Sequence, residues 1–219
     1  MSIQAIIFDL DGLMVDSESL AKQAWQRVLA RYGHELDRDT IDALFGLRLA
    51  DSSRLVKNKF ELALSAEQVA AEKNDLFMSM LAGNLHPMPG LYELLKAVDE
   101  RNLARAVATS SKGDYASVAL ETIGVDGFAA VITADLVQEG KPAPDTYLAA
   151  AKALDLPPSA CLALEDSPNG VRAAQAAGMR CVAVPNAMTA AMDLSAADWL
   201  FHSLGAVADH LEMLIHGVQ

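Results

Sequence analysis

The first regular pattern in the chain is a short apolar run, Gln4-Ala5-Ile6-Ile7-Phe8, which contains β-branched residues and ends abruptly at polar ones. A brief apolar run followed by turn chemistry predicts a buried strand rather than a helix. Two carboxylates, Asp9 and Asp11, follow this strand one residue apart, and Gly12 suits a tight turn after them. Open α/β sheets place their chemistry outside the carboxyl ends of strands, so this stretch is a candidate site.

The next part of the chain, from Ser19 to about Leu85, has apolar positions at helical spacing and no strand pattern. Ser65 and Gln68 have the spacing of a capping box, which predicts a helix start there. The segment ends at Pro87-Met88-Pro89-Gly90, a clear boundary between structural elements. We therefore expect an all-helical domain inserted after the first strand.

From Gly90 onward, short apolar runs alternate with helical patterns. The predicted strands are Ala104–Ala108, Ala129–Thr133, Ala160–Leu164, Arg180–Val184 and Asp198–Phe201. The predicted helices are Leu91–Arg101, Tyr115–Ile123, Pro144–Leu154, Pro168–Ala177 and Leu204–His216. This alternation predicts an α/β fold with a three-layer, Rossmann-like parallel sheet. Residues 1–15 and 86–219 would form this core, and residues 16–85 would form a helical cap.

Polar residues that could take part in catalysis or metal binding follow several of these strands. Beyond Asp9 and Asp11, they are Thr109 with Ser110, Lys141, and Glu165 with Asp166. Each has an ordinary structural explanation, since acidic residues form turns, Thr109 and Asp166 suit helix caps, and Lys141 suits a solvated loop. The carboxyl ends of parallel strands lie at the same edge of a sheet, however, so the sequence predicts that these side chains form one site.

The composition of the chain limits the kinds of partner and the cellular location that we expect. The 219 residues carry 17 Lys and Arg against 29 Asp and Glu, for a net charge of −12. Because nucleic-acid binding depends on cationic contacts to phosphate, no nucleic-acid partner is expected. Cys161 and Cys181 lie in predicted strands, which indicates buried free thiols and a cytoplasmic location. We expect no signal peptide, no membrane association, and nothing beyond a monomer.

Taken in order, these motifs resemble the haloacid-dehalogenase-like hydrolases, specifically the helical-cap phosphatase and β-phosphoglucomutase branch. The motifs are Asp9-Leu10-Asp11-Gly12, then Thr109, Lys141-Pro142 and Glu165-Asp166-Ser167. The resemblance covers essentially the whole chain, and it rests on the combination of motifs because each one alone is weak. It implies a Mg²⁺-dependent phosphoric monoester hydrolase that acts on small phosphorylated metabolites, with sugar phosphates as the expected class.

The resemblance also implies a role for each motif. Asp9 would be the nucleophile that forms an aspartyl-phosphate, and Asp11 the general acid and base. Lys141 would offset negative charge, and it would bind the phosphoryl group together with Thr109 and the amides after it, including that of Ser110. The expected Mg²⁺ ligands are Asp9, the backbone carbonyl of Asp11, Asp166, and Glu165 either directly or through water.

The cap offers weaker candidates for substrate recognition. Gly46 and Arg48 match the position of the family's specificity loop, and Lys73 is a further candidate on a predicted helix. A sugar phosphomutase is the alternative enzyme, because it shares every core motif. Such mutases carry a histidine in the first cap helix and a Gly-x-x-Arg loop, whereas the stretch 18–22 lacks histidine and Arg48 follows Gly46 by two positions. A non-catalytic binding module on the same fold is a third interpretation.

Overall fold

The chain divides into two compact units. The computed structural model describes residues 2–44, 47, 49–81 and 83–216. One unit combines the segments Met1–Asp16 and His86–Gln219, and the other is the segment Ser17–Leu85. We call them the α/β unit and the helical unit, and each is described by itself.

A six-stranded sheet forms the centre of the α/β unit. Its strands are β1 (Ala5–Phe8), β2 (Ala104–Ala108), β3 (Ala130–Ile132), β4 (Cys161–Glu165), β5 (Arg180–Ala183) and β6 (Trp199–Leu200). They lie in the order β3-β2-β1-β4-β5-β6, and every neighbouring pair is parallel. The predicted α/β class with a parallel sheet is therefore confirmed.

Strand β1 is the pivot of this sheet because β2 and β4 flank it on opposite sides. All four of its residues are buried, as expected for a strand covered on both faces. The strand order reverses direction at β1, and such switch points open a crevice at the carboxyl ends of the strands. The backbone N–H of Asp9 donates to the carbonyl of Leu164 at 3.0 Å, which extends the β1–β4 ladder by one residue to the crevice.

The helical unit consists of helices in its described residues. These are α1 (Ser17–Arg31), α2 (Arg38–Leu44), α3 (Leu49–Lys59) and α4 (Ala66–Leu81). Its core is built from side chains that include Trp25, Val28, Leu29, Val56 and Val69. The capping box before α4 is confirmed, because Ser65 N–H donates to Gln68 Oε1 at 2.8 Å and Gln68 N–H donates to Ser65 Oγ at 3.3 Å.

The helices of the α/β unit follow the predicted alternation. They are α5 (Leu91–Glu100), α6 (Gly113–Thr122), α7 (Asp145–Ala153), α8 (Pro168–Ala176), α9 (Leu204–Asp209) and α10 (Leu211–His216). The prediction of one continuous last helix, Leu204–His216, was wrong, because this segment forms two helices that are separated at His210. The His210 ring lies 2.9 Å from the Ala206 carbonyl, and the His210 N–H donates instead to Val207 at 3.2 Å.

The structure bears on the cysteines and on membrane-spanning helices. Cys161 and Cys181 are both buried and free, as predicted. Within the described ranges, no helix combines the length and apolarity needed to cross a membrane.

One glycine fixes how α5 meets α9. Gly90, the residue before α5, has a φ of 86°, and a Cβ placed there would lie 2.0 Å from the backbone nitrogen of Gly205. We expect Gly90→Ala to lower the free energy of unfolding by at least about 2 kcal/mol, because backbone strain adds to a backbone clash. Urea denaturation measures this loss.

The matched control is Gly124→Ala. Gly124 also has a positive φ, of 64°, but a Cβ there would have nothing within 4 Å. This substitution isolates the conformational cost, which we expect to be about 1 kcal/mol. Equal losses for the two variants would show that the α5–α9 approach does not restrict residue 90.

Candidate active site

A buried lysine side chain connects three strand ends at the crevice. The Lys141 ammonium donates to Asp9 Oδ1 and to Glu165 Oε1, both at 2.5 Å. It also donates to the carbonyl of Ala108, the last residue of β2, at 2.8 Å. The Lys141 side chain is only 5 % exposed, so these ion pairs are shielded from water. One side chain from the loop before α7 thus joins β1, β2 and β4.

The charges of this cluster perturb one another. The pKa of Asp9 is raised to about 8, mainly by burial; the Lys141 ammonium lowers it, and the carboxylates of Glu165 and Asp11 raise it. Burial lowers the pKa of Lys141, but Asp9 and Glu165 outweigh that effect and raise it above its ordinary range. The pKa values of Asp9 and Lys141 are thus both raised, because the buried site carries more carboxylates than ammonium groups. An additional cation would relieve this excess.

Glu165 is fully buried, and hydrogen-bond donors surround it. Its Oε1 accepts from Lys141 and, at 2.8 Å, from the hydroxyl of Tyr147, whose pKa burial raises well above the usual value. Its Oε2 accepts from the backbone N–H of Asp166 at 3.2 Å and from the N–H and hydroxyl of Ser167 at 3.4 and 3.2 Å. A Cβ at Gly170 would lie 1.8 Å from the Glu165 carboxyl carbon, so a glycine is needed there.

Asp166, the next residue, is positioned by a different loop. Asn186, which follows β5, donates from Nδ2 to Asp166 Oδ2 at 2.7 Å and to the Gly12 carbonyl at 3.1 Å. Gly12 has a φ of 78°, and a Cβ there would lie 2.3 Å from Asp166 Oδ2. The sequence explains Gly12 only by its tight turn. Asn186 was not predicted as a site residue, although it follows strand β5 at the same edge of the sheet as the other candidates.

The acidic residues of β1 and β4 form a group suited to a metal ion. Carboxylate oxygens of Asp9, Glu165 and Asp166 all lie within 4.8 Å of one another. Mg²⁺ prefers oxygen ligands of this kind, and the raised pKa of Asp9 indicates a place where a cation is favoured. The residues therefore fit Mg²⁺. Glu165 already accepts five hydrogen bonds, which makes Asp9 and Asp166 the better direct ligands.

Asp11 lies beside the charged cluster and is held by hydroxyl groups. Its Oδ2 accepts from Ser111 Oγ at 2.6 Å and from Thr109 Oγ1 at 3.4 Å, and its Oδ1 accepts from the Tyr115 hydroxyl at 2.6 Å. Thr109 is buried, whereas the neighbouring Ser110 is exposed at the mouth of the same loop. The predicted core residues are thus brought together, and Tyr115 is an addition that the sequence pattern did not reveal.

The cap candidates belong to the segment Ser17–Leu85, which forms the helical unit. Gly46 and Arg48 lie outside the described residues. Lys73 is on α4, where its ammonium lies 4.2 Å from the centre of the Phe77 ring. Their predicted role in substrate recognition stays a prediction.

Comparisons with known proteins agree with this geometry. Residues 6–184 match the family model described as haloacid dehalogenase-like hydrolase. The chain is 36% identical over 183 residues to fructose-1-phosphate phosphatase YqaB of Escherichia coli, which covers 82% of this chain and 95% of that protein.

Solved structures agree as well. CbbY from Rhodobacter sphaeroides, solved in complex with phosphate, has a TM-score of 0.81 and 29% identity, with coverage of 94% of this chain and 96% of that one. A β-phosphoglucomutase from Clostridium difficile has a TM-score of 0.75 and 27% identity, with coverage of 94% and 93%.

The family prediction is therefore confirmed at the level of the whole chain. The relatives named as phosphatases also support the predicted class of phosphoric monoester hydrolase. With its four motifs gathered at one sheet edge, the chain belongs to the haloacid dehalogenase-like hydrolases, in their β-phosphoglucomutase-like branch.

Proposed function

We propose that this chain is a Mg²⁺-dependent phosphatase of small phosphorylated metabolites, with sugar phosphates as its substrates and an aspartyl-phosphate as its intermediate. The observation that carries the proposal is the Lys141 ammonium, which bridges Asp9 and Glu165 beside Asp166. This arrangement presents a carboxylate nucleophile beside a buried ammonium and a group of oxygens suited to a further cation, and attack on a phosphate ester requires such positive charge. The similarity to a fructose-1-phosphate phosphatase and to a CbbY that binds phosphate supports the substrate class.

In the proposed reaction, an oxygen of Asp9 attacks phosphorus while the bond to the alcohol oxygen breaks. Asp11 gives its proton to that oxygen as general acid, and then removes a proton from the water that hydrolyses the aspartyl-phosphate. Lys141 keeps Asp9 oriented and offsets the charge of the incoming phosphoryl group. Thr109 and the backbone amides at Ser110 and Ser111 bind its other oxygens.

Asp9 and Asp166 would hold Mg²⁺ through their side chains, and Asp11 would contribute its backbone carbonyl. The bound ion supplies charge neutralisation for the phosphoryl oxygens. Glu165 would act mainly as a positioning carboxylate, because its five hydrogen bonds join Lys141 and Tyr147 on one side to the Asp166 loop on the other. Its expected contribution to the metal, direct or through water, stays a prediction. The helical unit, residues 17–85, would serve as the cap that selects the substrate.

A sugar phosphomutase is the second candidate, since the same core residues serve both reactions and β-phosphoglucomutases are among the similar structures. Helix α1 begins Ser17-Glu18-Ser19-Leu20-Ala21-Lys22, without the histidine that such mutases carry there. This feature of the sequence favours transfer to water over transfer to a sugar. A purely binding role is disfavoured because each charged motif of the reaction is present in one cluster.

Activity tests the proposal first. We expect the wild-type chain, assayed with Mg²⁺ on a panel that includes fructose 1-phosphate and glucose phosphates, to release inorganic phosphate. Asp9→Asn removes the nucleophile, so kcat is expected to fall by at least about 10³-fold. The exposed Asp126→Asn is the matched control and should retain full activity. The phosphatase proposal fails if no ester is hydrolysed while β-glucose 1-phosphate is isomerised in the presence of its bisphosphate.

Mg²⁺ binding can be measured without turnover. At a Mg²⁺ concentration tenfold above its dissociation constant, the melting temperature of the wild type should rise by about 3–6 °C, and chelation should reverse the rise. Asp166→Ala removes a ligand, so we expect its melting temperature not to respond, whereas the control Asp126→Ala should respond as the wild type does. A full response of Asp166→Ala would contradict the assignment of this ligand.

The positioning role of Glu165 predicts a loss of stability from an isosteric change. In Glu165→Gln the amide carries acceptor oxygen on one side only, so its NH₂ group must face donors whichever way it is turned. We expect the free energy of unfolding in urea to fall by about 1–3 kcal/mol. The exposed Glu93→Gln is the control, expected within about 0.5 kcal/mol of the wild type. An unchanged stability for Glu165→Gln would argue that Glu165 is not held by these donors.

A further inference from the structure

We propose that Tyr115 is a positioning residue for Asp11, an inference that rests on the proposed acid and base role of Asp11. The Tyr115 hydroxyl donates to Asp11 Oδ1 at 2.6 Å, although the two residues are 104 positions apart in the chain. Tyr115 is 7 % exposed, so its hydroxyl is well shielded from competing water. A buried hydroxyl usually bonds to a partner, and here that partner is the carboxyl group next to the nucleophile.

The geometry explains why Tyr115 matters beside two other hydroxyls. Ser111 and Thr109 both bond to Asp11 Oδ2, at 2.6 and 3.4 Å. Contacts to Oδ2 alone hold the carboxyl group from one side only. The Tyr115 bond to Oδ1 adds a contact from a different element, so both oxygens, and with them the plane of the group, are held against displacement. Asp11 is only half-buried, and the orientation of this plane decides where its proton is delivered.

Tyr115 is itself held rigidly enough for this task. It lies in the first turn of α6, where the N–H of Gly113 donates to Asp135 Oδ2 at 2.7 Å. At the other end of α6, the hydroxyl of Tyr92 donates to the carbonyl of Ile123 at 2.7 Å. Both ends of the helix are therefore tied to neighbouring elements of the α/β unit.

The chemistry of a hydroxyl also suits a group that gains and loses a proton. A hydroxyl donates to a carboxylate and accepts from a carboxylic acid, whereas an ammonium only donates. Tyr115 can therefore keep its contact with Asp11 before and after proton transfer. This is the property that a positioning residue for an acid and base requires.

The test compares two leaving groups. Proton donation matters most when an alkoxide would otherwise depart, and least for p-nitrophenyl phosphate, whose leaving group departs as a stable anion. For Tyr115→Phe we expect kcat/KM to fall about tenfold for the alkyl phosphate that the wild type hydrolyses fastest. For p-nitrophenyl phosphate we expect a change of less than about twofold, since kcat/KM covers only the steps through release of the first product.

The control is Tyr32→Phe, which removes an exposed hydroxyl bond to Glu72 within the helical unit and should leave both kcat/KM values unchanged. Melting temperatures of both variants monitor folding. An equal fall for the two esters, or no fall for the alkyl ester, overturns the role of Tyr115 while the phosphatase proposal stands. If the wild type hydrolyses neither ester, the phosphatase proposal itself fails, and the role of Tyr115 fails with it.

Discussion

The candidate site depends on one buried ion-pair network, in which Lys141 lies between Asp9 and Glu165. Carboxylates gathered at the ends of β1 and β4 repel one another, and burial increases the cost of their charges. Lys141 offsets part of that cost, and the raised pKa of Asp9 reflects the part that remains. A site of this kind favours a further cation, and that cation together with Lys141 would offset the negative charge of an arriving phosphoryl group.

The fold accommodates this buried negative charge by surrounding the two adjacent residues Glu165 and Asp166 with different hydrogen-bond donors. Both residues are buried, but Tyr147 donates to the first and Asn186 donates to the second. Glu165 accepts hydrogen bonds from Tyr147 and from the backbone of its own loop, and it thereby fixes the position of Asp166. Gly12 and Gly170 leave room for these two carboxyl groups. In the proposed mechanism, Glu165 thus serves mainly as an anchor and Asp166 as a ligand, although both lie in the candidate metal group.

Much of this arrangement could be predicted because it is local in the sequence. A buried apolar run that ends in a carboxylate predicts a strand and a candidate site at its carboxyl end. This pattern singled out Asp9 and Asp166. Tyr115 could not be found in this way, because a single polar residue in a helix acquires such a contact only through residues distant in sequence. Asn186 does follow strand β5 at the same sheet edge, but no carboxylate or motif marks it, and its contact with Asp166 comes from the fold. The break at His210 likewise depends on where one side chain bonds, which periodicity does not encode.

The two aspartates of the first loop differ most in the donors that surround them. Asp9 is paired with an ammonium, which can only donate and therefore favours a carboxylate that is ready to attack. Asp11 is held by hydroxyls, which can bond either to a carboxylate or to a carboxylic acid because they both donate and accept. In the proposed mechanism, the different roles of the two residues therefore arise from the partners that other strands and helices supply, although both residues follow the same strand. Two identical side chains one residue apart acquire different chemistry because the fold gives them different neighbours.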